Sequence, residues 1–384
     1  MSPAAVDGPR LARDEEFPAL VSLVDRCFGF VERSVVDRLP HCFDRSHVDR
    51  HAVVTVDDRV VSHAVCVPVQ LIAGTARIDC CGIAGVATDP AHRESGYMGA
   101  LLEFWLDRID DRGVPLAELE GDRVRYRRFG WENAGRERRY RVTTRSIAAS
   151  AGSEPTDEVR RFDGAASDLE LVRAVHEQER FRVARDPPAY ETLLASRREL
   201  ETFLVADPAP AYATVRPGRP PTVVEFGGSR TGVEAILSTL CWNGKSDELV
   251  LYTHPLHRLN GLFHAISADW RDEPHRKLNI RDLTATLDAF APLLEERWRL
   301  SGNTRTGELT IGLTESTDAV ALSYGPDGVA IERTAVDPAI HLDRSAMTEL
   351  LFGLPGTTWP LERSDPFLTT TLPLDVYFWR TETI

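Results

Sequence analysis

The residues best suited to chemistry lie between positions 86 and 131. The loop Arg93-Glu94-Ser95-Gly96-Tyr97-Met98-Gly99 follows an apolar run ending Val86-Ala87-Thr88 and leads into a helical pattern. A buried strand that passes through such a loop into a helix makes a place to hold an anion. The helix's first-turn N–H groups lack partners, and its dipole favours negative charge. Gly96 permits close backbone approach, and Arg93 adds a fixed charge with a bidentate donor. An ordinary strand-to-helix turn would use the same residue types. A second segment, Arg125-Tyr126-Arg127-Arg128-Phe129-Gly130-Trp131, sets a phenol among arginines and aromatic rings. Histidines offer less. Pro255 separates His254 from His257, and neither these nor His264 has the carboxylate or Cys spacing of a zinc site. His41, His47 and His51 are irregularly spaced, as solvated or structural histidines are. No dinucleotide fingerprint, P-loop or nucleophile elbow occurs.

The elements that must position these residues follow from periodicity. Phe17, Leu20, Val21, Val24 and Phe28 form one helical stripe closed by Gly29, and a shorter helix over 33–39 ends at Pro40. Runs 52–56 and 60–69 read as a β-hairpin, and 78–88, apolar on both faces, as a buried central strand. Met98, Leu101, Leu102, Trp105, Leu106 and Ile109 mark the helix after the loop, and 116–119 a further short strand. Residues 146–157 have the composition of a linker. Beyond it a helix near 166–183, strands near 202–216 and 221–227, a helix near 232–241, a strand near 248–253 and a helix near 257–270 repeat much of that order. From about 278 the texture changes to one helix, 282–299, then strands 307–314, 318–324 and 328–334 and a helix with Leu350, Leu351 and Phe352. A strand-like run, 374–379, comes last.

The chain's 384 residues imply two or three domains. At 42% hydrophobic and 27% charged it is globular, and its apolar runs fall short of a membrane span. The first fourteen residues lack the apolar core of a secretion signal. A net charge of −14 repels phosphate backbones and disfavours nucleic acid as a partner. Lys245 and Lys277 are the only lysines among 45 basic residues, which fits either a GC-rich genome or adaptation to molar salt. Six cysteines without a C-x-x-C pair read as free thiols of a reducing cytoplasm.

The segment Val86-Ala87-Thr88-Asp89-Pro90-x-His92-Arg93-x-x-Gly96 resembles the acetyl-CoA signature of the GNAT N-acetyltransferases, R/Q-x-x-G-x-G/A. Met98 stands where that signature has Gly or Ala, and Glu94 where a basic residue is common. Tyr126 to Trp131 is similar to the Y-x-R-[FY]-G-[YW] segment of the Eis-like (enhanced intracellular survival) branch. The motif likeness covers about 45 residues, 86–131; the order of elements extends it over most of the chain. It implies an α/β (α+β) fold: tandem GNAT-type units with mixed central sheets plus a C-terminal sterol-carrier-protein-like α+β domain. The boundaries would be 1–145, 158–276 (a degenerate copy) and 278–384.

The resemblance further implies an acetyl-CoA-dependent N-acetyltransferase acting by direct attack in a ternary complex, with no metal. Its acceptor would be an aminoglycoside-like polyamine, a small amine or a Lys side chain. Val86, Ala87 and Thr88 would pair with the cofactor's amide-bearing arm, and Arg93, Glu94, Ser95, Gly96, Tyr97, Met98 and Gly99 would hold its diphosphate. Tyr126, a phenol of pKa ~10, would protonate a thiolate whose conjugate acid lies near ~8.5; the alternative is core stacking beside Phe129 and Trp131. In that branch the base is the chain's terminal carboxylate, here that of Ile384, unless this is an ordinary frayed end. Relatives assemble as hexamers. A non-catalytic ligand carrier is the competing reading, although a carrier has no need of Tyr126 or the Arg93–Gly96 loop.

Overall fold

The computed structural model describes residues 5–151, 158–197, 199–243, 246–317, 319–354 and 365–384. Two compact units emerge: residues 1–135, 275–376 and 384 form one, and residues 136–274 and 377–383 the other. Both carry mixed α/β structure.

In the first unit the elements are β1 (Val6–Leu11), α1 (Phe17–Phe28), α2 (Val35–Arg38), β2 (His51–Val56), β3 (Arg59–Ala73), β4 (Ala76–Thr88), α3 (Tyr97–Asp111), β5 (Leu116–Leu119) and α4 (Arg123–Arg127). The sheet runs β1-β2-β3-β4-β5 and continues into residues 277–280 of a strand spanning Ser267–Ile280. β2, β3 and β4 are antiparallel, as β-branched runs joined by tight turns dictate, whereas β4 and β5 are parallel with α3 as their crossover. α1 buries Phe17, Leu20, Leu23 and Val24 and stops at Gly29, which takes the left-handed conformation. α3 buries Leu101, Leu102, Trp105, Leu106 and Ile109, each worth roughly 1.5–3 kcal/mol, and the Trp105 indole N–H donates to Ala64 O at 3.1 Å. In the same unit a helix, Leu283–Leu300, accompanies a second sheet ordered Gly328–Arg333, Ala319–Gly325, Gly307–Leu313 and Ile340–Leu342.

The second unit contains a sheet whose order is residues 136–143 of the strand Glu132–Thr143, Glu248–Thr253, Thr222–Gly228, Ala211–Arg216, Glu201–Val205 and Arg160–Arg161. Thr222–Gly228 leads into the helix Arg230–Asn243 and runs parallel to Glu248–Thr253, as β4 leads into α3 and runs parallel to β5. Here, however, the strand-to-helix turn is filled. A side chain at Gly228 would lie 2.3 Å from Pro210 O, and one at Gly232 2.3 Å from Ala209 O.

Several sequence expectations change. The helix near 166–183 ends at His176, and Phe181–Val183 is a strand. The helix near 257–270 covers only Asn260–Ile266 before the strand Ser267–Ile280 begins. Residues 144–151 of the supposed linker are helical, and 152–157 lie outside the described residues. The run 374–379 is buried but is not a strand; its apolar side chains are packed while its backbone joins no sheet. Glu132–Thr143 and Ser267–Ile280 are strands that charge conceals: Arg136, Arg138, Arg139 and Arg141 stand in the first, and Asp269, Arg271, Asp272 and Glu273 in the second. Arg138 and Arg141 pair there with Asp272 and Asp269.

Candidate active site

β4 outruns its parallel neighbour. β5 pairs with residues 80–83 only, so Ala84 to Thr88 diverge from it and leave one strand edge open. On its other edge β4 carries a bulge: His63 faces Ala87 and Val65 faces Ala84, leaving two residues, Gly85 and Val86, opposite Ala64. Gly85 sits at φ +55°, the left-handed geometry that such a bulge requires.

Past Thr88 a short turn, Pro90–His92, is capped by the Asp89 carboxylate, which accepts from Ala91 N at 3.0 Å. Gly96, at φ +81°, then opens α3 with no side-chain cap. The first-turn N–H groups of Tyr97, Met98 and Gly99 therefore face a crevice of about 460 Å³. Val86, Ala87, Thr88, Arg93, Glu94, Gly96, Tyr97, Met98 and Gly99 line it. Ser95 of the expected set lies in the same exposed loop but not in the wall. Cys27, His92, Arg125 and Arg128 also line it. Three guanidinium groups against one carboxylate make the crevice electropositive in a chain that is acidic overall. Met98 lines the crevice wall, and a side chain at the following Gly99 would make only ordinary contact with Phe129, at 3.5 Å.

A second cavity, of about 330 Å³, shares Phe28, Val86 and Arg125 with the first, so the two meet. Tyr126 and Ile384 both line it. Tyr126 is held on α4, whose first turn is capped by Asp122 accepting from Arg125 N at 2.8 Å. Its ring packs edge-on to Trp131 and close over Gly121, where any side chain would strike it. Burial pushes the phenol above its ordinary range, while the neighbouring Arg125 pulls the other way. Phe129 O accepts from buried Asn279 at 2.8 Å, and buried Glu132 binds Arg123, which fixes the segment after Tyr126.

Ile384 rests over Gly82 of β4. A side chain at position 82 would lie 2.4 Å from the Ile384 δ-methyl and 3.0 Å from a Glu118 carboxylate oxygen. Glu118 is fully buried on β5, directly across from Gly82. Sequence reasoning missed Gly82 and Glu118 as a seat, together with Glu120 and Asp122 of the cavity wall. Arg125 and Arg128 carried a signal in the Arg-Tyr-Arg-Arg run. Glu118 sits in an apolar strand, where a lone carboxylate is itself unusual.

Among the described residues no group of three or more His, Cys, Asp or Glu could hold a metal ion, and no helix is long and apolar enough to cross a membrane.

With this geometry in view, residues 9–134 match the family profile described as an acetyltransferase (GNAT) domain. This first-unit segment is an N-acetyltransferase domain of the GNAT type, a class whose acyl donor is acetyl-CoA. No curated protein sequence matches the chain. Solved structures resemble it over most of its length. A GCN5-related N-acetyltransferase from Kribbella flavida is 20% identical with a TM-score of 0.71, covering 98% of this chain and 99% of that one. Eis1 from Mycobacterium abscessus is 19% identical with a TM-score of 0.67, covering 99% and 100%. A probable N-acyltransferase from Enterococcus faecalis is 15% identical with a TM-score of 0.70, covering 91% and 90%. At such identities the likeness is one of fold.

Proposed function

We propose that the chain is an acetyl-CoA-dependent N-acetyltransferase of the Eis-like branch whose acceptor is a small amine with an apolar body. One observation carries this reading: an electropositive crevice at the β4–α3 turn opens into a cavity holding Tyr126 and Ile384. In the crevice the first-turn N–H groups, Arg93 and Arg128 suit a diphosphate, and the open edge at Val86–Thr88 suits an amide-bearing arm. The thioester would then lie where crevice and cavity meet. There the amine nitrogen forms its bond to the acetyl carbon as the carbon–sulfur bond breaks. The carboxylate at the end of Ile384 takes the amine's proton, and Tyr126 donates its own to the departing thiolate.

Charge favours a monoamine over a polyamine. Glu120 and Asp122 line the cavity, but buried Arg276 pairs with Glu120 and Arg125 shares the wall with Asp122. Together with the terminal carboxylate this leaves one net negative charge. The remaining wall is largely apolar, with Val24, Phe28, Phe30, Val35 and Leu39, and Phe28 and Phe30 stack at 5.7 Å. A polyamine would bury several charges against a single counter-charge. At about 330 Å³ the cavity stands at the small end of ligand pockets.

The filled turn in the second unit supports reading that unit as a degenerate GNAT copy without a cofactor site. The mixed sheet and helix of 278–384 we assign to a sterol-carrier-like domain, and the assembly to a hexamer.

CoA release measured over a panel of amines tests the acceptor: apolar monoamines should exceed aminoglycoside-like polyamines in kcat/KM by tenfold or more, on the order of the cost of one uncompensated charge. Equal or reversed preference would refute the monoamine reading. Absence of thermal stabilisation by acetyl-CoA, expected at roughly 2.7 kcal/mol at a hundred times Kd, would refute the enzyme reading itself.

A further inference from the structure

Two histidines meet beneath the bulge in β4. His51 on β2 and His63 on β3 are both fully buried, with His51 Nδ1 and His63 Nε2 2.9 Å apart. His63 Nδ1 lies 2.8 Å from Gly85 O, the carbonyl of the bulge's left-handed residue. Phe43 closes the site: its ring lies within 5.3 Å of His51 and 5.6 Å of His63, and it leaves no room for a side chain at Gly85. Burial holds both imidazoles neutral, His51 near 3 and His63 near 4.

The tautomers follow by elimination. A carbonyl oxygen only accepts, so His63 Nδ1 carries the hydrogen and its Nε2 is a bare acceptor. That nitrogen then requires a donor, which is the Nδ1–H of His51. The chain of donation runs His51 to His63 to Gly85 O.

Its end point is informative. The bulge removes Gly85 and Val86 from regular pairing with β3, and β5 has already ended at Leu119. A half-buried carbonyl left without a partner there would pull the strand back toward some other donor. Gly85 and Val86 line the cavity, and Val86, Ala87 and Thr88 line the crevice. We propose that the His51–His63 pair is a positioning device for the acyl donor: by binding the Gly85 carbonyl it holds Val86–Thr88 open for pairing with the amide-bearing arm of acetyl-CoA. This rests on the crevice being the acetyl-CoA site, as argued above. Neither histidine touches the reacting atoms, so both are positioning residues and not catalytic ones.

The test combines a spectroscopic and a binding measurement. Imidazole nitrogen NMR of the wild-type full chain should show both histidines neutral with Nδ1 protonated, whether or not the protein is an enzyme. An Nε2-protonated His63 overturns the proposal. In calorimetry His63→Leu should weaken acetyl-CoA binding roughly tenfold or more, the scale of one lost buried hydrogen bond. His63→Asn, whose amide N–H can still reach the carbonyl, should recover most of that loss, and the KM for the amine should stay unchanged in both. Donor affinity equal to wild type in a folded His63→Leu overturns the proposal, as does a loss that His63→Asn fails to restore. If His63→Leu does not fold, His63→Asn and the NMR tautomer decide alone: Asn must retain donor binding. Should wild type itself bind no acetyl-CoA, the crevice assignment fails while the tautomer result still stands.

Discussion

Gly82→Ala is the sharpest perturbation of the proposed site. Carbon atoms in contact prefer about 3.5–4.0 Å, and the new methyl would meet the Ile384 δ-carbon at 2.4 Å, so Ile384 must withdraw by about 1 Å or more. Displacement of a reacting group by that much costs about 100-fold in rate. Stability should hardly change. Gly82 does not have a left-handed φ, the severe clash is with the tip of a terminal side chain, the Glu118 oxygen at 3.0 Å has to give by only a few tenths of an ångström, and Gly→Ala lowers the unfolded chain's entropy by about 0.4–1 kcal/mol. Steady-state CoA release with both substrates varied, run beside thermal unfolding, should show kcat down about 100-fold, KM for acetyl-CoA within about twofold and Tm within about 3 °C. Adding Ile384→Ala removes the struck methyl, so the double variant should regain about tenfold of the lost rate. If Gly82→Ala turns over at the wild-type rate, the placement of Ile384 has no bearing on chemistry. The terminal carboxylate then has no claim to the base role.

Tyr126→Phe should lower kcat by roughly 10²–10⁴ while leaving acetyl-CoA affinity within about twofold, and unchanged turnover would strip the phenol of its acid role. Because burial raises that phenol, the wild-type rate should show no alkaline decline from Tyr126 below about pH 10, which a pH–kcat profile checks. Glu94 adopts a left-handed φ of +66° beside the crevice, so Glu94→Gly should stabilise the fold by about 1 kcal/mol and lower the KM for acetyl-CoA severalfold; a higher KM would count against the anion-binding turn. In the second unit Glu382 and Glu225 share the buried Arg185, and burial pushes Glu382 up to about 7. A carboxyl raised in the fold contributes stability below its ordinary pH of 4.5 that is lost as pH rises through about 7. Between pH 5 and 8.5 the wild type should therefore lose up to about 3 kcal/mol relative to Glu382→Gln in paired denaturant titrations, a difference from which the stabilisation that the neutral His51 and His63 bring as pH rises cancels.

Local pattern determined much of this protein. Alternation and β-branching placed β2 to β4, the three-and-four spacing placed α3, and Gly96 with Arg93 marked the turn between them. These signals are readable because each is set by neighbours a few residues apart. The run Arg125–Trp131 singled out Tyr126, although the short helix that carries it, Arg123–Arg127, was not among the expected elements. Tertiary structure alone decided the rest. Nothing near Gly82 in sequence announces that Ile384, some three hundred residues on, fills the space its missing side chain leaves. His51 and His63 read as two ordinary polar residues until β2 and β3 pair and the bulge supplies a carbonyl. The strands Glu132–Thr143 and Ser267–Ile280 hid behind charges that only cross-strand partners such as Asp269 and Asp272 neutralise. A polar residue's role depends on which distant group it meets in a water-poor interior, and that meeting exists only once the chain has folded.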